Sequence, residues 1–158
     1  MKPGGRVVTV GSTASFQLKF ANPALKKRAM DDKLGLEDLE QLFQEYKAAS
    51  SKPEDDDGWN RAGYAPAYSA SKGFMNLATA ALAREHPELI INVGCPGICE
   101  TAEIPKGVNW VLKTTDEGCR LPLRLAFDDL DGVNGQFWAG KSTADKGPGV
   151  GKQYGNTA

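Results

Sequence analysis

The chain has 158 residues and a mass of 16.9 kDa, the length of one domain with room for a buried core. Its composition, 41% hydrophobic and 25% charged, is that of a soluble globular protein, and a net charge of −1 speaks against nucleic acid or an anionic membrane surface as partner. No apolar run approaches the ~20 residues of a membrane span, and Met1-Lys2-Pro3-Gly4-Gly5 is no signal peptide, so the expected location is the cytoplasm.

Cys95, Cys99 and Cys119 make an odd number, which argues against a disulfide framework. Cys95 and Cys99 have no second ligand pair to complete a zinc site, so no metal is expected, and the thiols are expected buried and reduced. The single histidine, His86, falls in the polar stretch Arg84-Glu85-His86-Pro87-Glu88. That is a setting for a solvated side chain rather than for the base of a Ser-His-Asp hydrolase.

Met1 to Gly5 is a loop that leads into Arg6-Val7-Val8-Thr9-Val10, which predicts a short strand buried on both faces and closed by Gly11-Ser12. Ser12 falls just past the strand's carboxyl end, where open α/β sheets bind ligands, although a serine there also serves as a turn residue or helix cap. Residues 21–60 read as an insertion. Within it Leu36, Leu39, Leu42, Phe43 and Tyr46 recur at helical spacing, predicting a helix from the polar start at Asp31-Asp32-Lys33 to Ala48-Ala49 that packs on the body. Ser50 to Gly58, with Asp55-Asp56-Asp57, reads as a solvated loop. A helix follows from Tyr68 to Arg84, and Leu89 to Gly94 forms a second buried strand broken by Cys95-Pro96-Gly97. Strand, helix and strand in that order make a βαβ unit with a right-handed crossover.

Ala102 to Thr114 reads as a loop able to cover a site. Thr115-Asp116-Glu117 opens a helix with Leu121 and Leu125 inward and Pro122 inside it. Gly135 to Ala139 is a third short strand. Residues 1–140 are then the α/β domain, and the stretch 141–158, rich in glycine and lysine, is expected to be a flexible tail.

The chemistry concentrates in Tyr68-Ser69-Ala70-Ser71-Lys72. On a helix, positions four apart share a face, so the phenol and the ammonium point at the same spot. A free tyrosine has a pKa of about 10, and a cation within roughly 4–6 Å favours the phenolate, which suits proton exchange with a substrate oxygen. A bare Y-x-x-x-K describes equally a half-buried tyrosine beside a solvated lysine, so the spacing alone does not decide.

Taken with its neighbours, the pattern resembles the short-chain dehydrogenase/reductase family, and within it the carbonyl reductase branch. Gly4-Gly5-Arg6-Val7-Val8-Thr9-Val10-Gly11-Ser12 is similar to the family's fifth strand with its catalytic serine. Tyr68 to Lys72 matches Y-x-x-x-K, and Asn92-Val93-Gly94-Cys95-Pro96-Gly97 through Thr101 matches the sixth strand and its P-G-x-x-x-T turn. Asp131 to Phe137 resembles the closing strand. The 56 positions from Ser12 to Tyr68 match the helical insertion of the carbonyl reductase branch.

The resemblance implies part of a doubly wound parallel-sheet Rossmann fold, its C-terminal part, with a helical insertion before the catalytic tyrosine. It implies reduction of quinones, aldehydes or ketones by hydride from NADPH in preference to NADH. Tyr68 would protonate the carbonyl oxygen, Lys72 would assist it and hold the nicotinamide ribose, and Ser12 would polarise the carbonyl. Pro96, Gly97, Cys99 and Thr101 would line the nicotinamide end, and Trp110 would be a wall for the small-molecule substrate. An enzyme with this insertion is expected to be a monomer.

Departures from the family pattern are Cys99, where an aliphatic residue is usual, and Glu100, where a basic one is common. The family's glycine-rich first turn, its NAD-versus-NADP selector, its N-N-A-G segment and its catalytic asparagine have no counterpart. The resemblance is thus to a chain lacking the N-terminal part. The alternative reading is a chain that is not an enzyme by itself, unstable or acting as an interaction module.

Overall fold

A computed structural model describes residues 1–51, 59–60, 65–101, 110–142, 145–152 and 154. Strand β1, Arg6–Val10, pairs in parallel with β4, Ile90–Gly94, from Arg6 opposite Ile90 to Val10 opposite Gly94. β4 pairs in parallel with β5, Phe137–Ala139, and β5 pairs antiparallel with β6, Val150–Lys152. The strand order is β1-β4-β5-β6.

Alternation along the strands sends side chains to two helical layers. Helix α3, Pro66–Glu85, crosses from β1 to β4 and covers one face, where Ala83 and Leu82 meet Val7, Leu89 and Ile91. Helix α4, Thr115–Phe127, covers the other, where Leu121 and Leu125 meet Val8, Ile90 and Trp138. Two asparagines extend the short β4–β5 ladder. Asn92 Oδ1 accepts from the Gln136 N–H and the Trp138 indole, and its amide donates to the Val133 carbonyl. Asn134 accepts from the Ile91 N–H at 2.7 Å and donates to the Leu89 carbonyl.

Between β1 and α3 the chain makes a 3-10 turn at Thr13–Gln17, strand β2 at Lys19–Phe20, and helices α1, Pro23–Ala29, and α2, Leu36–Ser50. Strand β3, Trp59–Asn60, closes the insertion by pairing antiparallel with β2. The expected helix is α2, which begins at Leu36 rather than at Asp31-Asp32-Lys33; Leu39, Leu42 and Tyr46 are buried against α3, but Leu36 at its start is exposed. α1 has no counterpart among the elements expected from the sequence. It starts at Pro23, where the Asn22 side chain accepts from the Ala24 N–H and the missing proline N–H costs nothing. The aromatic contacts Tyr46–Trp59, at 5.2 Å, and Phe43–Phe74, at 5.4 Å, join insertion and α3 in one core. The acidic run Asp55-Asp56-Asp57 and most of its loop lie outside the described residues.

Three expectations need correction. β1 is half-buried rather than buried on both faces, and Val10 is exposed, because among the described residues β4 is its one partner and β1 forms a margin of the sheet. The stretch from Lys141 is not simply a mobile tail, and the sheet continues beyond residue 140. β6 pairs with β5 there, and Gly151 lets it pass against the Trp138 ring, where a Cβ would sit 2.7 Å from Cε2. The Tyr154 hydroxyl then donates to the Ser15 carbonyl at 2.7 Å. Finally, the three free thiols are not all buried: Cys95 is, but Cys119 lies on the outer side of α4. His86 is exposed, 3.3 Å from Glu88.

α4 begins with a reciprocal cap. The Thr114 hydroxyl accepts from the Glu117 N–H, and the Glu117 carboxylate accepts from the Thr114 N–H and pairs with Lys146. The Lys146 contact and the Thr114 N–H hold the Glu117 carboxyl below its ordinary range. Replacing Thr114 by Ala should cost about 1 kcal/mol. Because the folded-state pKa of Glu117 is lowered, its contribution is present above the unfolded value and lost as pH falls through the folded one. Urea denaturation should therefore show Glu117→Gln less stable at neutral pH, with the difference vanishing in acid. A difference constant across that range would contradict this.

Candidate active site

The three parallel strands end on one side of the sheet, where ligands of such folds bind. Gly11-Ser12 follow β1, Cys95-Pro96-Gly97 follow β4, and Gly140 follows β5. A cavity of about 480 Å³ opens there, with Ser12, Phe16, Gly97, Lys113 and Lys152 among its walls.

Tyr68 sits in the first turn of α3. Pro66 is at the start of this helix, and Ala65 before it holds a left-handed conformation, φ 49°, that non-glycine residues rarely adopt. Ser69 and Ala70 turn into the core, which leaves Tyr68 half-exposed at 49% on the opposite face. Lys72 lies one turn on, its Nζ 5.9 Å from the centre of the Tyr68 ring. Its ammonium donates to the Val10 carbonyl at 3.0 Å, pinning α3 to the carboxyl end of β1 two residues before Ser12.

Ser12 caps the 3-10 turn, its hydroxyl accepting from the Ala14 N–H at 3.2 Å. The cap role that the sequence left open is thus filled, and the hydroxyl proton remains for donation toward the cavity. The turn is fixed to α3 by Asn76, whose amide donates to the buried Ser15 hydroxyl at 2.9 Å. Gly73 of α3 makes room for it: a Cβ there would stand 3.0 Å from Leu18 Cβ.

After β4, Gly97 takes φ +88°, and a Cβ on it would lie 2.9 Å from Lys113 Cε. The chain returns alongside itself through a bridge between Cys99 and Lys113, with Glu100 N–H donating to the Lys113 carbonyl and Lys113 N–H to that of Ile98. Burial pushes the Cys99 thiol up, against the pull of Lys113. Thr101 is exposed, its N–H donating to the Cys99 carbonyl.

The structure thus brings Tyr68 to Lys72, Lys72 to the end of β1, and Ser12 to Gly97. Tyr68, Lys72, Pro96, Cys99, Thr101 and Trp110 are not among the cavity walls. Trp110 is 39% exposed, and residues 102–109 of the expected flap lie outside the described residues.

Sequence reasoning missed two residues here. Lys113 is 5% exposed, although Val111-Leu112-Lys113 before the Thr114 cap carries no signal of a buried lysine. Tyr154 packs on Phe16 and Phe137 at 5.4 and 6.4 Å. Burial pushes the Tyr154 phenol up to about 12, although its bond to Ser15 works in the opposite direction. A raised folded-state pKa gives stability that is present below the unfolded value of about 10 and lost as pH rises through the folded one. Stability should therefore fall between about pH 10 and 12. Tyr154→Phe should flatten that fall; an unchanged alkaline limb in chemical denaturation would refute this.

A partly parallel sheet with helices on both faces and a cavity at the strand ends defines part of a Rossmann-type fold. No protein-family model matches the chain. It is 30% identical over 135 residues to short-chain dehydrogenase/reductase 1 of Saponaria officinalis, covering 84% of this chain and 43% of that protein. It is 29% identical over 147 residues to carbonyl reductase [NADPH] 1 of Oryctolagus cuniculus, covering 87% of this chain and 50% of that protein. The structure of salutaridine reductase from Papaver somniferum superposes with a TM-score of 0.68 at 24% identity, over 86% of this chain and 45% of that one. The chain is homologous to the short-chain dehydrogenases/reductases, carbonyl reductase among them, and spans about half the length of these relatives.

Proposed function

We propose that the chain supplies the proton-transfer and substrate-facing residues of an NADPH-dependent carbonyl reductase, and that these 158 residues by themselves are not a catalytic unit. The observation that carries the first part is the Tyr68–Lys72 pair on one face of α3, pinned through Lys72 to the strand end that bears Ser12. Ser12 donates a hydrogen bond to the carbonyl oxygen, keeping its own proton, and so withdraws charge from the carbon. Tyr68 hands its proton to that oxygen, and the Lys72 ammonium stabilises the charge left on the phenol. NADPH, when bound, supplies the hydride.

The residues present fit the nicotinamide end of that cofactor. The side-chain-free, left-handed Gly97 keeps the loop after β4 open, Pro96, Cys99 and Thr101 follow the same strand end, and Lys72 is bonded to the end of the neighbouring strand β1. They do not provide a diphosphate cradle, for no G-x-x-x-G-x-G occurs in the 158 residues. This, with a span of half the relatives' length, favours the second part of the proposal.

The β1 margin favours the same view. Its outer side has no strand partner among the described residues and invites association with another strand, the property of an unstable or interacting chain. The insertion over α3 supports a monomer once that margin is covered.

Calorimetric titration of the 158-residue chain with NADPH should show weak or no binding; tight, stoichiometric binding to a monomer would overturn the second part. In a form joined to the glycine-rich half of a related reductase, Tyr68→Phe should lower kcat by about 10²–10⁴-fold with NADPH binding preserved. Near-normal turnover by that variant would overturn the mechanism.

A further inference from the structure

The cavity at the strand ends carries more positive charge than the chemistry above requires. Lys113, Lys141 and Lys152 all line it, together with Ser12, Thr13 and Phe16. Lys113 is 5% exposed, and burying an ammonium is costly unless a counter-charge joins it. Among the described residues the ion pairs are Arg28–Glu45, His86–Glu88 and Lys146–Glu117, so none of the three lysines has one. Nor does the Lys113 ammonium donate a hydrogen bond to any described residue, whereas that of Lys72 donates to the Val10 carbonyl. Lys152 is held over the face of Phe16, 4.5 Å from the ring centre, which keeps its charge at the cavity wall.

One carboxylate stands near. Asp145 accepts from the Lys141 N–H at 2.7 Å and the Gly147 N–H at 2.8 Å, outside the cavity wall and beyond ion-pair distance of the lysines. Glu117 is taken by Lys146. Three ammonium groups against one carboxylate leave an excess of positive charge around a space that opens at Ser12.

We infer that this cavity takes the anionic group, carboxylate or phosphate, of the carbonyl substrate, with Lys113 as its buried anchor and Lys141 and Lys152 at its rim. That the anion belongs to a carbonyl substrate rests on the reductase reading; the anion site rests on the lysines. An anion of this kind spans from the lysines toward Ser12 and selects against neutral carbonyl compounds of the same shape.

The test is calorimetric titration of the 158-residue chain with 4-formylbenzoate and with its uncharged methyl ester. The acid should bind about tenfold or more tightly than the ester, as expected where a charge-assisted hydrogen bond is made to one and not the other. Its affinity should fall with added salt. Lys113→Met should abolish the preference. The exposed pair Lys141→Gln with Lys152→Gln should reduce it and weaken the salt dependence, a readout that survives if Lys113→Met fails to fold. Equal binding of acid and ester, or a preference unchanged in both variants, would overturn the inference.

Tyr68→Phe should leave the preference intact. A preference that persists while Tyr68→Phe in the joined form retains full turnover would sink the reductase reading and leave the anion site standing. Loss of the preference with Tyr68 still essential would sink this inference alone.

Discussion

The in-register parallel pairing of β1 with β4 is the constraint from which the site follows. Parallel strands cannot be joined by a tight turn, so the chain must leave the end of β1, travel back and re-enter beside its start. Whatever the connection contains, its last helix runs opposite to the strands. The first turn of α3 therefore lies at the end where Ser12 and Pro96 emerge, and Tyr68 is in that turn. The bond from Lys72 to the Val10 carbonyl locks this arrangement. The long insertion is compatible with it because α1 and α2 pack on α3 and leave the strand ends open.

What the sequence revealed and what it hid divide along local and distant causes. The β1 span could be read in its valines. The start of α4 could be read in Thr115-Asp116-Glu117, although the cap itself is Thr114, which exchanges hydrogen bonds with Glu117 three residues on. The stripe of α2 was visible as Leu39, Leu42 and Tyr46. β6 was not visible, since Val150-Gly151-Lys152 has little strand propensity and owes its conformation to β5. The burial of Lys113 depends on a loop folding back over Gly97, which no neighbouring residue announces. The exposure of Val10 is not legible in the sequence, because apolar character tells which residues favour burial and not whether a neighbouring strand is present.

The asparagines show polar residues doing the work of backbone. Asn92 is 1% exposed, and its amide ties β4 to the turn before β5. Asn134 does the same from the other side. A buried amide with its groups satisfied specifies one register, because any slip would strand donors and acceptors in the core. The strand ends, and with them Ser12 and Gly97, are thereby held level.

The two margins of the sheet are unlike. One is β6, three residues flanked by Pro148 and Gly149, which offers little to a further strand. The other is β1, five residues long, with its outer side unpaired among the described residues. Two copies meeting at their β1 margins would each consume the surface by which they met. Such an encounter closes on itself as a two-fold pair, whereas a chain with two receptive margins would propagate into a filament.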